Sequence, residues 1–187
     1  MYNFTNTWFI EGIAVKNCSF LLSNFPPRKI LEIGSFEGQS TCFFIEQVGQ
    51  FGNLTIDCID TWEGGAEHKA VDTDMSAVEQ RFHNNVEFAV SKVKHKVIVN
   101  PIKGYSEDAL VKLITSGAHN SYDFVYIDGS HFAPDVLSDL VLSFVLTKER
   151  GIVLCDDYYW GAGTLSENPK IAIDSFTNTY FNLIKHL

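Results

Sequence analysis

The chain has 187 residues, 45% of them hydrophobic and 20% charged, a composition that suits one soluble domain with a sizeable core. Its formal net charge of −9 argues against the basic face of a duplex nucleic-acid binder, and the densest basic run, Lys92, Lys94, His95 and Lys96, reads as a solvated loop or helix end. Four cysteines (Cys18, Cys42, Cys58, Cys155) without Cys-x-x-Cys spacing, no secretory-type N-terminus and no apolar run near the ~20 residues that span a bilayer point to a cytoplasmic, membrane-free protein.

Along the chain, Ile10 to Asn24 carries an uneven helical face that Pro26 and Pro27 end. "KILEIG", Lys29 to Gly34, is a strand, followed by a glycine turn and a helix from Gln39 to Val48. "NLTIDCID", Asn53 to Asp60, is the second strand, and Asp74 to Ser91 a long helix with Met75, Val78, Phe82, Val86 and Val90 on its apolar side. "KVIVNPIKG" supplies a third strand; "SEDALVKLI" supplies a helix with Ser106 as its N-cap. "YDFVYIDG" is the fourth strand, "APDVLSDLVLSFVL" the next helix, and "GIVLCDD" the fifth strand.

Strands that are apolar throughout and alternate with helices indicate an open α/β fold: a parallel sheet covered on both faces. Ligands of such sheets bind outside the carboxyl ends of the strands, at the switch in strand order. Glu32 to Gly38, Asp60, Ser106, Asp128 and the pair Asp156–Asp157 all fall at or just after strand ends, so one edge collects them. This convergence predicts a single site.

The residue types suggest its chemistry. In "ILEIGSFEGQST", Gly34 permits a tight turn and Gly38 lets a ligand approach the following helix. Glu32 beside that turn repels a pyrophosphate and suits an amine; the third glycine of a dinucleotide fingerprint is absent, which weakens an NAD-dependent oxidoreductase. Asp60 at the end of strand two either accepts both hydroxyls of a ribose or caps a turn, and Trp62 either covers the sugar or packs on the core. His131 in "IDGSH" is a candidate general base, with a structurally bonded loop histidine as the alternative. Asp156 and Asp157 adjoin a buried strand, where paired carboxylates are costly without a partner; a turn cap is the alternative.

In this order, "ILEIGSFEGQST", "CIDTWEGG", "GYSEDAL", "YDFVYIDGSH" and "GIVLCDDYYW" resemble a class I S-adenosylmethionine-dependent methyltransferase. They resemble more narrowly the small-molecule O-methyltransferases grouped with catechol O-methyltransferase and with antibiotic biosynthesis of cephalosporin and macrolide type. The resemblance runs from about Arg28 to Trp160. It implies a Rossmann-like methyltransferase sheet in one domain, residues 1–187, with a helical segment over 1–27, the cofactor and active-site core over 28–160 and a C-terminal helix over 161–187. It implies S-adenosylmethionine as cofactor, with Glu32, Gly34, Ser35, Gly38 and Ser40 near the methionine moiety and Asp60 and Trp62 near the ribose. Ser106 falls by the adenine, and Asp128 close to the reacting methyl group with His131 as catalytic partner.

The metal-dependent relatives bind Mg²⁺ through an acid after strand four and a pair after strand five, positions held here by Asp128, Asp156 and Asp157. A hard cation on oxygen ligands lowers the pKa of an acceptor hydroxyl. "YYWGAG", Tyr158 to Gly163, is then a substrate wall. Such relatives usually continue into two further strands, whereas this chain ends at "FTNTYFNLIKHL", which reads as the helix after strand five. Natural shortness, truncation and an edge supplied by a partner all stay open, and an uncovered edge invites homodimerisation. The leading expectation is methyl transfer to a small-molecule hydroxyl; the alternative is a non-catalytic nucleoside-binding module that works with a partner subunit.

Overall fold

The computed structural model describes residues 1–65, 74–161 and 164–186. Five strands form one sheet: β1 (Lys29–Ile33), β2 (Leu54–Asp60), β3 (Val97–Lys103), β4 (Tyr122–Ile127) and β5 (Thr147–Cys155). Their order is β3-β2-β1-β4-β5, and every pairing is parallel. β1 pairs with both β2 and β4, so the strand order reverses there, the place where sheets of this kind bind ligands outside the carboxyl ends of the strands.

Seven α-helices stand among the described residues: α1 (Trp8–Glu11), α2 (Ala14–Asn24), α3 (Gln39–Val48), α4 (Val78–Ser91), α5 (Ser106–Thr115), α6 (Ala133–Leu146) and α7 (Pro169–Thr179). They cover both faces. Ile30, Ile56, Cys58, Phe124 and Tyr126 of the sheet pack with α2, α3 and α4, whereas Leu31, Ile33, Ile59, Val125 and Ile127 pack with α5, α6 and α7. Period-2 alternation along a strand places successive side chains in opposite cores, which is why these strands read as apolar without interruption. No helix among the described residues is long and apolar enough to cross a membrane.

Several elements differ from the sequence expectation. The first helix starts at Trp8 and breaks after Glu11, because Gly12 is extended and Ile13 restarts the turn as the N-cap of α2. The helix expected from Asp74 begins as a 3₁₀ turn over Met75–Ala77, with the Asp74 carboxylate accepting from Ser76 N. Ser106 is the first residue of α5; the N-cap is Tyr105, whose side chain makes no capping bond. β5 begins at Thr147, ahead of the expected Gly151, with a register shift against Tyr122 and Phe124. The C-terminal helix ends at Thr179, so "FTNTYFNLIKHL" is helical only over its first four residues, 176–179, and Leu187 lies outside the described residues. The helix expected over 161–187 starts only at Pro169, where Asn168 supplies the capping side chain and proline suits the first position.

Candidate active site

β1 ends in a loop, residues 34–38, that turns into α3. Gly34 has φ +85°, and a methyl group added there would stand 2.0 Å from the carbonyl oxygen of Asp128, so only glycine lets the ends of β1 and β4 approach. Gly38 is left-handed as the N-cap of α3. Phe36, at φ 46°, adopts the same region with a side chain, an unfavourable conformation that its neighbours hold.

Asp60 is one of those neighbours. Its two oxygens accept from Phe36 N at 2.7 Å and Trp62 N at 2.6 Å, and the Trp62 indole donates to the Phe36 carbonyl at 2.9 Å. Each carboxylate oxygen has two acceptor sites, so Asp60 retains capacity for a pair of ligand hydroxyls. Trp62 is 4% exposed and packs its ring 5.1 Å from Phe82, in line with the core-packing alternative. Gly104 N bonds the Asp60 carbonyl at 2.9 Å, which brings the start of α5, and with it Ser106, beside the second strand end.

Glu32 sits differently from an exposed amine ligand. It is fully buried, and it accepts from Ser35 Oγ at 2.8 Å, Ser40 Oγ at 2.5 Å and the Thr41 hydroxyl. Burial raises its pKa, and the hydroxyls partly offset the rise. Ser35 and Ser40 thus spend their hydroxyls on Glu32, and the three residues tie the glycine loop to the first turn of α3.

The four residues expected to carry chemistry are assembled at the ends of β4 and β5. His131 Nε2 lies 2.8 Å from Asp157 Oδ2, and its ring lies 4.3 Å from that of Trp160. The Tyr126 hydroxyl donates to Asp156 Oδ2 at 2.5 Å and lies 3.2 Å from Asp128 Oδ2. The other Asp156 oxygen accepts from Asp157 N at 2.9 Å, which stabilises the left-handed Asp157 (φ 55°). Burial and then the charges of Asp156 and Asp157 raise the Asp128 pKa well above the usual carboxylate range. Tyr126 is pushed up by burial and by Asp128 and Asp156, and the Cys18 thiol of α2 up to about 12 by burial and then Asp156.

The donor set is two carboxylates and an imidazole, ligand types that a divalent cation accepts. Ligand atoms of Asp128, His131 and Asp157 all lie within 4.8 Å of one another; Asp156, expected from the sequence as the third metal ligand, is not part of that group and joins it only through Tyr126. Like charges gathered in a partly buried site need either protons or a metal, and carboxylate oxygens select Mg²⁺ or Ca²⁺. Tyr158 is drawn away from the acids, its hydroxyl donating to Asp174 of α7 at 2.8 Å; Tyr159 is exposed, and Ala162 and Gly163 lie outside the described residues.

Three residues of this site were not singled out from sequence. Tyr126 lies inside an apolar strand, where a phenol that must find a partner was the available signal. Glu37, 1% exposed, pairs with Arg81 of α4, and nothing local in "SFEGQ" separates it from a solvated acid. Asp139 of α6 is 1% exposed with neither oxygen at full hydrogen-bonding distance from a donor, the Ser106 hydroxyl being the one nearby that favours its charge.

A family profile described as "Methyltransferase domain" matches residues 31–158. The chain is 23% identical over 176 residues to "Probable caffeoyl-CoA O-methyltransferase 3" of Dictyostelium discoideum, covering 90% of this chain and 61% of that protein. It therefore spans about three fifths of the length of that curated relative. Among solved structures it is similar to an O-methyltransferase from Bacillus cereus in complex with SAH, with a TM-score of 0.66 at 15% identity over 92% of this chain and 70% of that one. It is also similar to the O-methyltransferase TomG from Streptomyces achromogenes, involved in tomaymycin synthesis and solved with SAM, with a TM-score of 0.63 at 18% identity over 91% of this chain and 68% of that one. These likenesses establish the Rossmann-like methyltransferase fold.

Proposed function

The chain belongs to this methyltransferase-domain family, and from that premise we propose that it moves the methyl group of S-adenosylmethionine onto a hydroxyl of a small molecule. The observation that carries the reading is the packing of Gly34 against Asp128, which sets the glycine loop and the acid–histidine cluster side by side at the sheet's switch point. The relatives named above are O-methyltransferases, which supports oxygen as the acceptor atom.

S-adenosylmethionine supplies an electrophilic methyl group when bound. In this reading the glycine loop lies along the methionine moiety and the free acceptor sites of Asp60 hold the ribose, with Ser106 towards the adenine. Glu32 shapes the loop from beneath, and Asp128 faces the reacting end. His131 takes the proton of the acceptor hydroxyl, while Asp157, 2.8 Å away, orients the ring and stabilises it once charged. Asp128 and Asp157, backed by Asp156, are the residues that would hold Mg²⁺, whose chemistry there is to lower the acceptor's pKa. Holding the acceptor oxygen in line with the methyl group is the protein's other task.

Calorimetry with S-adenosylhomocysteine is the direct test. A folded sample that gives no binding overturns the reading. Binding without transfer to any of a broad panel of hydroxylated acceptors turns it toward the non-catalytic module. Replacing Asp60 by Ala is expected to weaken binding by at least about ten-fold, the equivalent of one hydrogen-bonded charge.

A further inference from the structure

The first ten residues do something the proposed chemistry does not require. Residues 3–6 have no regular structure, yet they are fastened to the glycine loop by that loop's own side chains. Glu37 accepts from Thr5 N at 2.6 Å and from Thr5 Oγ1 at 2.9 Å. Gln39 donates to the Asn6 carbonyl at 3.0 Å and accepts from Phe9 N at 3.1 Å and Ile10 N at 3.3 Å. Asn85 of α4, 1% exposed, accepts from Asn3 N at 2.7 Å and donates to the carbonyls of Asn3 and Glu37, each at 3.0 Å. A segment without regular structure keeps one conformation only where it is tied down. This one is tied to a buried acid whose charge Arg81 matches.

The same strap reaches both halves of the site. Trp8 stacks on Phe36, with centroids 6.0 Å apart and planes 21° apart, so it bears on the residue that Asp60 and Trp62 hold in a left-handed conformation. Phe9 packs edge-on against Tyr126, centroids 6.0 Å apart, and the Tyr126 hydroxyl holds Asp156. One short segment therefore touches the cofactor loop on one side and the ring that organises the acids on the other.

We propose that Glu37 is a positioning residue that couples occupancy of the glycine loop to docking of residues 3–10, so that cofactor binding seats the strap against Phe36 and Tyr126. The physical basis is that the loop is shared: its backbone passes from β1 to α3 against Asp128 and Asp60, while the side chains of Phe36 and Glu37, with Gln39 at the start of α3, carry the strap. A ligand that favours the loop's present shape favours the docked strap, and by linkage the docked strap raises ligand affinity. The proposal rests on the reading that this loop takes S-adenosylmethionine.

Hydrogen exchange of the full chain, read by mass spectrometry with and without S-adenosylhomocysteine and paired with calorimetry on the same samples, tests it. The ligand is expected to slow exchange across residues 3–12 at least ten-fold in the unaltered protein. Thr5→Pro, which removes the amide and hydroxyl that Glu37 accepts from without touching the core, is expected to abolish that slowing and weaken ligand binding several-fold. Glu37→Gln is expected to act in the same direction; if it fails to fold, Thr5→Pro carries the test. Binding that leaves exchange over 3–12 unchanged, or ligand-dependent slowing that survives in Thr5→Pro, overturns the coupling and leaves the cofactor reading standing. Absence of binding in the unaltered, folded protein overturns both.

Discussion

The Tyr126 hydroxyl donates to Asp156 at 2.5 Å, and this bond sits between carboxylates from two different strand ends. Removing the donor with Tyr126→Phe leaves Asp156 short of a partner while preserving the ring that packs on Phe9 and Phe44. Urea unfolding in EDTA is expected to show a loss of about 1–3 kcal/mol. If the acids hold Mg²⁺, millimolar Mg²⁺ restores part of that loss, because the cation replaces the missing positive field. Equal losses with and without Mg²⁺ would count against a metal at this cluster.

His131 contacts both Asp157 and the ring of Trp160, and neither contact reaches the glycine loop. His131→Gln is therefore expected to lower turnover by about 10²–10⁴-fold, the usual worth of a general base, with affinity for S-adenosylhomocysteine within about two-fold of the unaltered protein. Parallel loss of binding would assign His131 to shaping the pocket instead.

Asp139 supplies a pH dependence with a definite sign. Burial lifts its carboxyl from 3.8 to about 7, although the nearby Ser106 hydroxyl favours the charged form; Asp135 and Glu107 add to the rise. Between those values the folded chain holds a proton that the unfolded chain has released. Stability is thus expected to fall as pH climbs from about 4 to about 7, by up to roughly 4 kcal/mol, and to level off above that range. Asp139→Asn is expected to flatten this window and to stabilise the protein at pH 8, as read by denaturant midpoints at pH 5 and pH 8. A variant less stable than the parent at pH 8 would show that the charged form has a partner.

The thiols should be silent in the native state. Cys18, Cys42 and Cys58 are buried and Cys155 is half-buried, and burial pushes all four pKa values up, to about 12 for Cys18 and Cys155. Titration with a chromogenic disulfide at pH 8 is expected to detect no rapidly reacting thiol before denaturation and all four after it. Rapid reaction of Cys18 in the native protein would mean that α2 opens away from the acids.

Much of this molecule was legible from pattern. The strands were found within a residue or two at their carboxyl ends because β1, β2 and β4 are buried on both faces, which forces uninterrupted apolar runs. α3 and α6 were found at their true limits: Gly38 marks the start of one, and Pro134 lies in the first turn of the other. The convergence of Asp60, Asp128 and the Asp156 pair follows from parallel topology alone. What escaped depends on contacts remote in sequence. Nothing near Glu32 announces that three hydroxyls will enclose it, since an acid before a glycine turn reads equally as a ligand. The docking of residues 3–6 onto Glu37 and Asn85 spans dozens of positions and leaves no periodic trace. The break at Gly12 and the register shift near Gly151 are local backbone events that hydrophobic spacing does not report.

The place of β1 in the sheet has a consequence for the chain while it is being made. β1 leaves a synthesising machine early and pairs with β2, but its other edge belongs to β4, whose last residue is Ile127. Until some ninety further residues have emerged, a strand with the sequence Lys29–Ile33 shows one open row of amides and carbonyls. Such an edge, apolar on both sides, is a template for pairing with another nascent copy. The arrangement that brings the acids to the glycine loop therefore also leaves the half-made sheet with an open, apolar edge until β4 arrives.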